Sequence, residues 1–141
     1  MNILVIAVVI LFVSLGIIHF YWALGGKAGI IKAIPTIDGN PTMRPGAFIT
    51  ALVGISLVVI GCITYLLWFL ELDSLPLGKY IGYIGWVLSG VFIIRSIGDI
   101  NVIGFFKKVK SSEFAKYDTL IYSPLCLILG IFFAAISYHK S

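Results

Sequence analysis

Residues 3–24 read ILVIAVVILFVSLGIIHFYWAL, an almost unbroken apolar run without a single Asp, Glu, Lys or Arg. A helix rises about 1.5 Å per residue, so roughly 20 apolar residues cross the ~30 Å hydrocarbon core of a bilayer. Three more runs of similar length follow at residues 46–70, 80–97 and 119–138. The sequence therefore predicts an all-α, integral membrane four-helix bundle surrounded by the lipid bilayer.

The composition favours the same class of protein. Of the 141 residues, 60% are hydrophobic and only 11% are charged, whereas soluble domains carry about 25% charged residues. Four spans and their connections use nearly the whole chain, so we expect a single four-span domain over residues 1–141. The net charge of +4 lies mostly in loops, where it sets membrane orientation, and it does not indicate nucleic-acid binding.

Basic residues are distributed unevenly between the two membrane faces. The connection between spans 1 and 2 (residues 25–45, loop 1) and the connection between spans 3 and 4 (residues 100–118, loop 3) carry most of them. They are Lys27, Lys32, Arg44, Lys107, Lys108, Lys110 and Lys116, against Lys79 and Lys140 on the opposite face. Loops that adjoin membrane spans and are rich in Lys and Arg stay in the cytoplasm. We therefore expect loops 1 and 3 to be cytoplasmic and both termini to lie outside.

Both cytoplasmic loops show local patterns. In loop 1, residues 27–33 favour a helical turn or two, and Asp38-Gly39 is a strong turn signal that predicts a short hairpin. In loop 3, Phe105 and Phe106 stand directly before a run of lysines. That pattern suits a segment lying on an anionic leaflet, and it equally suits an ordinary loop at a membrane edge.

Small residues predict how the spans pack. Helices in lipid associate where small side chains let their backbones approach. Span 3 carries Gly78, Gly82, Gly85 and Ser89 at steps of four, three and four, which is one helix face. This face predicts packing within the bundle or, as an alternative, a homodimer through span 3.

Polar residues interrupt the spans mainly at one membrane face. In a serpentine of four spans, the ends of spans 1 and 3 share a face with the starts of spans 2 and 4. The candidate ligand-binding residues at that face are His19, Trp22, Arg95, Asp99, Asp118 and Tyr122. Their spacing predicts an Arg95–Asp99 ion pair within span 3 and an N-terminal cap of span 4 by Asp118. We also expect His19 to approach Asp99 or Asp118.

Three interpretations of these residues stay open. They can form a structural network, as in an accessory subunit of a larger membrane complex, because buried polar groups need partners. They can line a cytoplasm-facing pocket for a small molecule or lipid headgroup, with Arg95 as the anion contact. They can also serve a membrane enzyme in which His19 and Asp99 or Asp118 exchange protons. No cofactor is indicated, and one histidine with separated carboxylates supplies too few ligands for a metal site.

Several short elements also carry a family resemblance. They are His19-Phe20-Tyr21-Trp22, Asp38-Gly39-x-Pro41, Arg95-Ser96-Ile97-Gly98-Asp99 and Asp118-x-x-x-Tyr122-Ser123-Pro124-Leu125-Cys126. Together they resemble a family of small bacterial four-span membrane proteins that is catalogued only as a domain of unknown function. The resemblance implies four helices in the bacterial inner membrane. It implies no activity and no functional residues.

Overall fold

The computed structural model describes residues 1–38, 40–71, 76, 78–98 and 101–140, except for the side chain of Lys79. Nearly all regular structure is helical, and the two strands are two residues each. In chain order the elements are α1 (Asn2–Ala23), α2 (Ile30–Ala33), β1 (Thr36–Ile37), β2 (Asn40–Pro41), α3 (Ala47–Phe69), α4 (Gly78–Ile97), α5 (Glu113–Tyr117), a π-helical segment (Asp118–Tyr122) and α6 (Ser123–His139).

Four helical stretches among the described residues are long and apolar enough to cross a membrane. They are α1, α3, most of α4 and the continuous stretch from Glu113 to Lys140. The predicted four-helix membrane fold is therefore confirmed. The fourth stretch begins at Glu113, six positions before the predicted residue 119, because Ser112 caps the helix there: its hydroxyl accepts the Ala115 amide hydrogen at 3.0 Å.

The chain divides into two compact units. Unit 1 comprises Met1–Lys27, Pro45–Gly85 and Ile136–Ser141, and unit 2 comprises Ala28–Arg44 and Trp86–Ala135. The expectation of a single domain over the whole chain stays a prediction.

Glycines bring α1 and α3 together in unit 1. A Cβ added at Gly54 would lie 3.2 Å from both the Gly16 carbonyl oxygen and the His19 Cβ, and a Cβ at Gly16 would lie 2.7 Å from Val58 Cγ2. The two backbones therefore approach more closely than side chains on both helices would allow. This is the packing expected between apolar helices in lipid.

Unit 1 also holds a polar contact that no sequence pattern predicts, at the end of α1 opposite His19 and Trp22. The Trp68 indole donates to Asn2 Oδ1 at 2.7 Å, and the Trp68 and His139 ring centroids lie 5.3 Å apart. Lys140 Nζ donates to the Leu70 carbonyl at 3.4 Å. These contacts join both ends of the chain to the end of α3.

The predicted small face of span 3 is only partly correct. A Cβ at Gly85 would collide with the Ser137 hydroxyl and approach Leu67, and Ser89 is buried. A Cβ at Gly82, by contrast, would meet no described heavy atom within 4 Å. The four residues do share a helix face, but close packing is confined to part of it.

Within unit 2, α4 and α6 are in direct contact. The Ser89 hydroxyl donates to the Gly130 carbonyl at 2.8 Å, and a Cβ at Gly130 would lie 2.6 Å from Ile93 Cγ1. Phe92 and Phe133 stack nearly parallel with ring centroids 5.8 Å apart. The contact therefore combines a glycine, an interhelical hydrogen bond and an aromatic pair.

The expected structure of loop 1 is confirmed. Residues 30–33 form the short helix α2, and β1 pairs with β2 in an antiparallel hairpin. Thr36 faces Pro41 and Ile37 faces Asn40. Asp38 takes a positive φ at the turn, while Gly39 lies outside the described residues.

Two glycines let loop 3 fold back on the end of α4. Gly98 and Gly104 both have positive φ, and a Cβ on either one would collide with the backbone beside the other. The Phe105 amide then donates to the Ser96 carbonyl at 2.9 Å. Because only glycine fits both the conformation and the space, these positions fix the start of the loop against the helix.

Candidate functional site

Asp118 is the centre of a buried ionic cluster in unit 2. Its carboxylate is fully buried. Oδ1 accepts from Arg95 Nη2 at 2.9 Å, and Oδ2 accepts from Lys107 Nζ at 2.9 Å and from the Gly104 amide at 2.7 Å. We call Arg95, Gly104, Lys107 and Asp118 the Asp118 cluster. A buried carboxylate needs such partners because desolvation otherwise makes its charge costly.

The prediction that Asp118 caps the N-terminus of span 4 is wrong. Ser112 caps the helix, and Asp118 lies more than one turn inside it, at the first position of the π-helical segment. Both carboxylate oxygens are occupied by donors from α4 and loop 3. Asp118 therefore joins separate segments of the chain and does not serve the end of its own helix. π-Helical turns of this kind recur at functional sites.

Lys107 is the site residue that the sequence analysis missed. It was counted as an ordinary loop cation, but only 2% of the residue is exposed. Its ammonium donates to Asp118 Oδ2 and to the Gly104 carbonyl, both at 2.9 Å, and to Thr119 Oγ1 at 2.6 Å. All three ammonium donors thus have an acceptor. No spacing rule links Lys107 to Asp118, and four lysines of loop 3 look alike in sequence.

Arg95 is the most accessible charged member of the cluster. Its side chain is 32% exposed, and Nη2 is bonded to Asp118. Nη1 is buried and has no hydrogen-bond partner among the described residues. Asp99, the partner predicted for Arg95, lies outside the described residues, so that ion pair stays a prediction.

The formal charges of the cluster do not cancel. Arg95 and Lys107 contribute two positive charges against the single negative charge of Asp118.

Two small polar residues of α6 lie near the cluster. The Cys126 thiol is close enough to Arg95 and Asp118 to interact electrostatically with both. Ser123 and Cys126 stand seven and four positions before Gly130, on the α6 face that contacts α4. The Ser123 hydroxyl is fully buried and has no partner among the described residues.

Tyr122 attaches loop 1 to the fourth helical stretch. Its hydroxyl donates to the Lys32 carbonyl at 3.2 Å, and the Lys32 ammonium lies 4.8 Å from the Tyr117 ring centroid. A hydrogen bond with the Tyr117 hydroxyl raises the pKa of Lys32 above its ordinary value. These contacts hold α2 against α5 and the π-helical segment.

His19 and Trp22 lie together in unit 1. Their ring centroids are 5.1 Å apart in an edge-to-face arrangement, and His19 Nδ1 lies 2.8 Å from the Leu15 carbonyl oxygen, to which it donates. Arg95, Asp118 and Tyr122 belong to unit 2. The approach of His19 to Asp99 or Asp118 stays a prediction.

An open groove lies along the fourth helical stretch, with a volume of about 290 Å³. It is lined by Glu113, Lys116, Tyr117, Leu120 and Ile121, none of which is a predicted site residue. Among the described residues, no group of three or more His, Cys, Asp or Glu side chains is placed to hold a metal ion.

Comparison with protein families adds the last observation. The family model described as "Protein of unknown function (DUF3995)" matches residues 12–133. The chain belongs to this family. The resemblance noted in the sequence is thereby confirmed at the level of the family, and the whole Asp118 cluster lies within the segment that DUF3995 covers. No curated protein and no solved structure matches the chain significantly.

Proposed function

We propose that this membrane protein binds an oxyanion at the Asp118 cluster, either the phosphate of a lipid headgroup or a small free anion. The supporting observation is Arg95 Nη1, a buried donor with no acceptor among the described residues, in a cluster that carries one excess positive charge. A buried donor left without a partner costs roughly 1–3 kcal/mol. An anion oxygen would supply the missing acceptor in a charge-assisted hydrogen bond.

Ser123 supports the same assignment. Its buried hydroxyl also has no partner among the described residues, and it lies on the α6 face that meets α4. Arg95 and Ser123 would then offer two donors, one charged and one neutral, to the same anion. Carboxylates and phosphates suit a guanidinium because its planar fork matches their oxygen spacing.

The place of Arg95 at the end of a membrane-spanning helix favours a lipid headgroup. Arg95 stands in the last turn of α4, and phosphates of the adjoining leaflet lie at the ends of such helices. The basic residues of loops 1 and 3 favour a cytoplasmic location for this end, and the family resemblance implies the bacterial inner membrane. Membrane anions at that face are abundant, and a free anion with the same oxygen chemistry would have to compete with them.

Orientation has its own test. Cysteines introduced as Glu71→Cys and Ser111→Cys, in a chain with Cys62→Ser and Cys126→Ser, are treated with an impermeant thiol reagent on intact cells. We expect labelling at 71 and none at 111. Labelling at 111 alone would invert the topology and remove the cytoplasmic part of the proposal.

Binding is tested with purified protein in an uncharged detergent. Melting temperature is followed while inorganic phosphate or short-chain phosphatidylglycerol is added to the wild type, Arg95→Gln and Arg44→Gln. Arg95→Gln should fold, because the Lys107 charge still compensates that of Asp118 and the Gly104 amide still donates to it. Arg44→Gln makes the same change at an exposed position of loop 1 and is the matched control.

We expect the lipid to raise the melting temperature of the wild type and of Arg44→Gln, but not that of Arg95→Gln. A response to phosphate alone would identify a free anion as the ligand. Equal responses in all three proteins, or none, would contradict binding at Arg95 and leave the structural network as the role of the cluster. The rival assignments, an enzyme using His19 and an accessory subunit, stay predictions with no further observation in their favour.

A further inference from the structure

Loop 3 reverses the usual placement of aromatic and basic side chains. Lys107 is buried at 2% exposure, whereas its neighbours Phe105 and Phe106 are 39% and 68% exposed. Lysine is almost never fully buried unless paired, and phenylalanine is among the residues most often buried. The next lysines, Lys108 and Lys110, are exposed. The reversal therefore leaves an apolar pair beside two accessible positive charges.

We propose that residues 105–110 form a membrane-surface contact that inserts Phe106 into an anionic leaflet. The phenylalanine would occupy the boundary between headgroups and acyl chains, and Lys108 and Lys110 would bind the phosphates around it. Segments that combine aromatic side chains with lysines attach to membranes in this way. The occupant is the lipid surface itself, and the inference does not rest on anion binding at Arg95.

Hydrogen bonds fix the orientation of this segment. Lys107 is held inward by three acceptors, two of them in the Asp118 cluster. The Phe105 amide is bonded to the Ser96 carbonyl, and the Lys108 amide is bonded to the Asn101 carbonyl at 3.0 Å. Phe106 is therefore exposed on a loop that is fastened on both sides. Its exposure follows from the inward position of Lys107.

The segment also lies near the ends of two membrane-spanning stretches. α4 ends at Ile97, and the fourth stretch begins at Glu113. Residues 105–110 stand within about a dozen positions of both, so the loop can reach the headgroup layer without leaving the membrane edge. Charge complementarity then selects an anionic leaflet, because each Lys near such a surface is attracted by its negative potential.

The test measures the depth of a nitroxide spin label in nanodiscs that contain the full chain. The background is Cys62→Ala and Cys126→Ala, and the label is attached at Phe106→Cys or, as the matched control, at Ser111→Cys. Collision of the label with lipid-soluble oxygen is compared with collision with a water-soluble nickel chelate. Discs contain phosphatidylcholine alone or phosphatidylcholine mixed with phosphatidylglycerol.

We expect the collision ratio at 106 to shift towards oxygen relative to 111, and to shift further when phosphatidylglycerol is present. The double variant Lys108→Gln/Lys110→Gln should lose the second shift. Equal collision ratios at 106 and 111 would overturn the proposal. A ratio at 106 that is the same with and without phosphatidylglycerol would overturn it as well. Protection of 106 from both reagents would indicate a protein contact and overturn it too. If Phe106→Cys does not fold, the label at Phe105→Cys answers the same question.

Discussion

The α1–α3 contact of unit 1 and the Asp118 cluster of unit 2 are held together by opposite means. Between α1 and α3 the decisive residues are Gly16 and Gly54, which carry no side chain and let two backbones touch. In the cluster the decisive residues are Arg95, Lys107 and Asp118, in which two cations contact the same carboxylate. In a bilayer, apolar helices gain little by burying large side chains, so association depends on close approach. Ionic groups need one another as partners, because the hydrocarbon of the bilayer supplies neither opposite charges nor hydrogen bonds.

The two regions should therefore be destabilised by different kinds of substitution. The glycine contact has no spare volume and no charge, so it is sensitive to size alone. The cluster is sensitive to the loss of the Asp118 charge, because Lys107 would then stay buried without an opposite charge. The first two predictions below each remove one of these features and leave the other intact, and the third removes a hydrogen bond between α4 and α6.

The largest effect is expected for Asp118→Asn. The change is nearly isosteric, but it leaves Lys107 buried beside a neutral amide. The one remaining side-chain oxygen can accept from Arg95 or from Lys107 and Gly104, but not from both sides. Breaking a buried ion pair by removing one partner costs about 3–5 kcal/mol. Chemical unfolding in detergent micelles, followed by circular dichroism, measures the change in the free energy of unfolding.

Glu113→Gln is the control for that measurement. Glu113 is an exposed carboxylate at the start of the same helical stretch, and its neutralisation should change stability by no more than about 0.5 kcal/mol. Similar losses for the two variants would mean that Asp118 has no special ionic role.

A smaller loss is expected for Gly54→Leu. The new side chain would begin 3.2 Å from the Gly16 carbonyl oxygen, and overpacking of this kind costs about 1–3 kcal/mol. Gly82→Leu introduces the same volume where a Cβ meets no described atom within 4 Å, so its unfolding free energy should stay close to that of the wild type. If Gly82→Leu is as damaging as Gly54→Leu, small residues do not mark close packing in this chain.

The smallest effect is expected for Ser89→Ala. It removes the bond to the Gly130 carbonyl between α4 and α6, and interhelical hydrogen bonds in membranes average roughly 0.6 kcal/mol. Ser56→Ala removes a hydroxyl that only bonds back to Leu52 of its own helix, and it should cost less. Thermal unfolding of the two variants side by side decides the order. A greater loss for Ser56→Ala would contradict the α4–α6 contact described above.

Local patterns in the sequence were sufficient for the spans and the hairpin. Apolar length predicts the four membrane-spanning stretches, and Asp38-Gly39 predicts the turn between β1 and β2, because these features depend on residues close together in the chain. The helix start at Ser112 was missed for a local reason. The apolar run begins later, and charged Glu113 and Lys116 conceal the first turns.

The pairing within the site could not be read in the same way. Lys107 and Asp118 are eleven positions apart, and their contact exists because Gly98 and Gly104 fold loop 3 back on α4. Nothing in the residue types tells Lys107 from Lys108, although one is buried and the other exposed. The close packing predicted at Gly82 from its spacing was likewise not found. A shared helix face does not reveal where a neighbouring helix ends.

A double-mutant cycle on Lys107 and Asp118 tests the central role of the cluster most directly. Unfolding free energies are measured for Lys107→Met, Asp118→Asn and the double variant, with Lys108→Met in place of Lys107→Met as the control. If the buried charges compensate each other, the double variant should be milder than the sum of the single losses by about 1–3 kcal/mol. The control cycle with exposed Lys108 should be additive. Additivity within about 0.5 kcal/mol for Lys107 and Asp118 would contradict the ionic cluster.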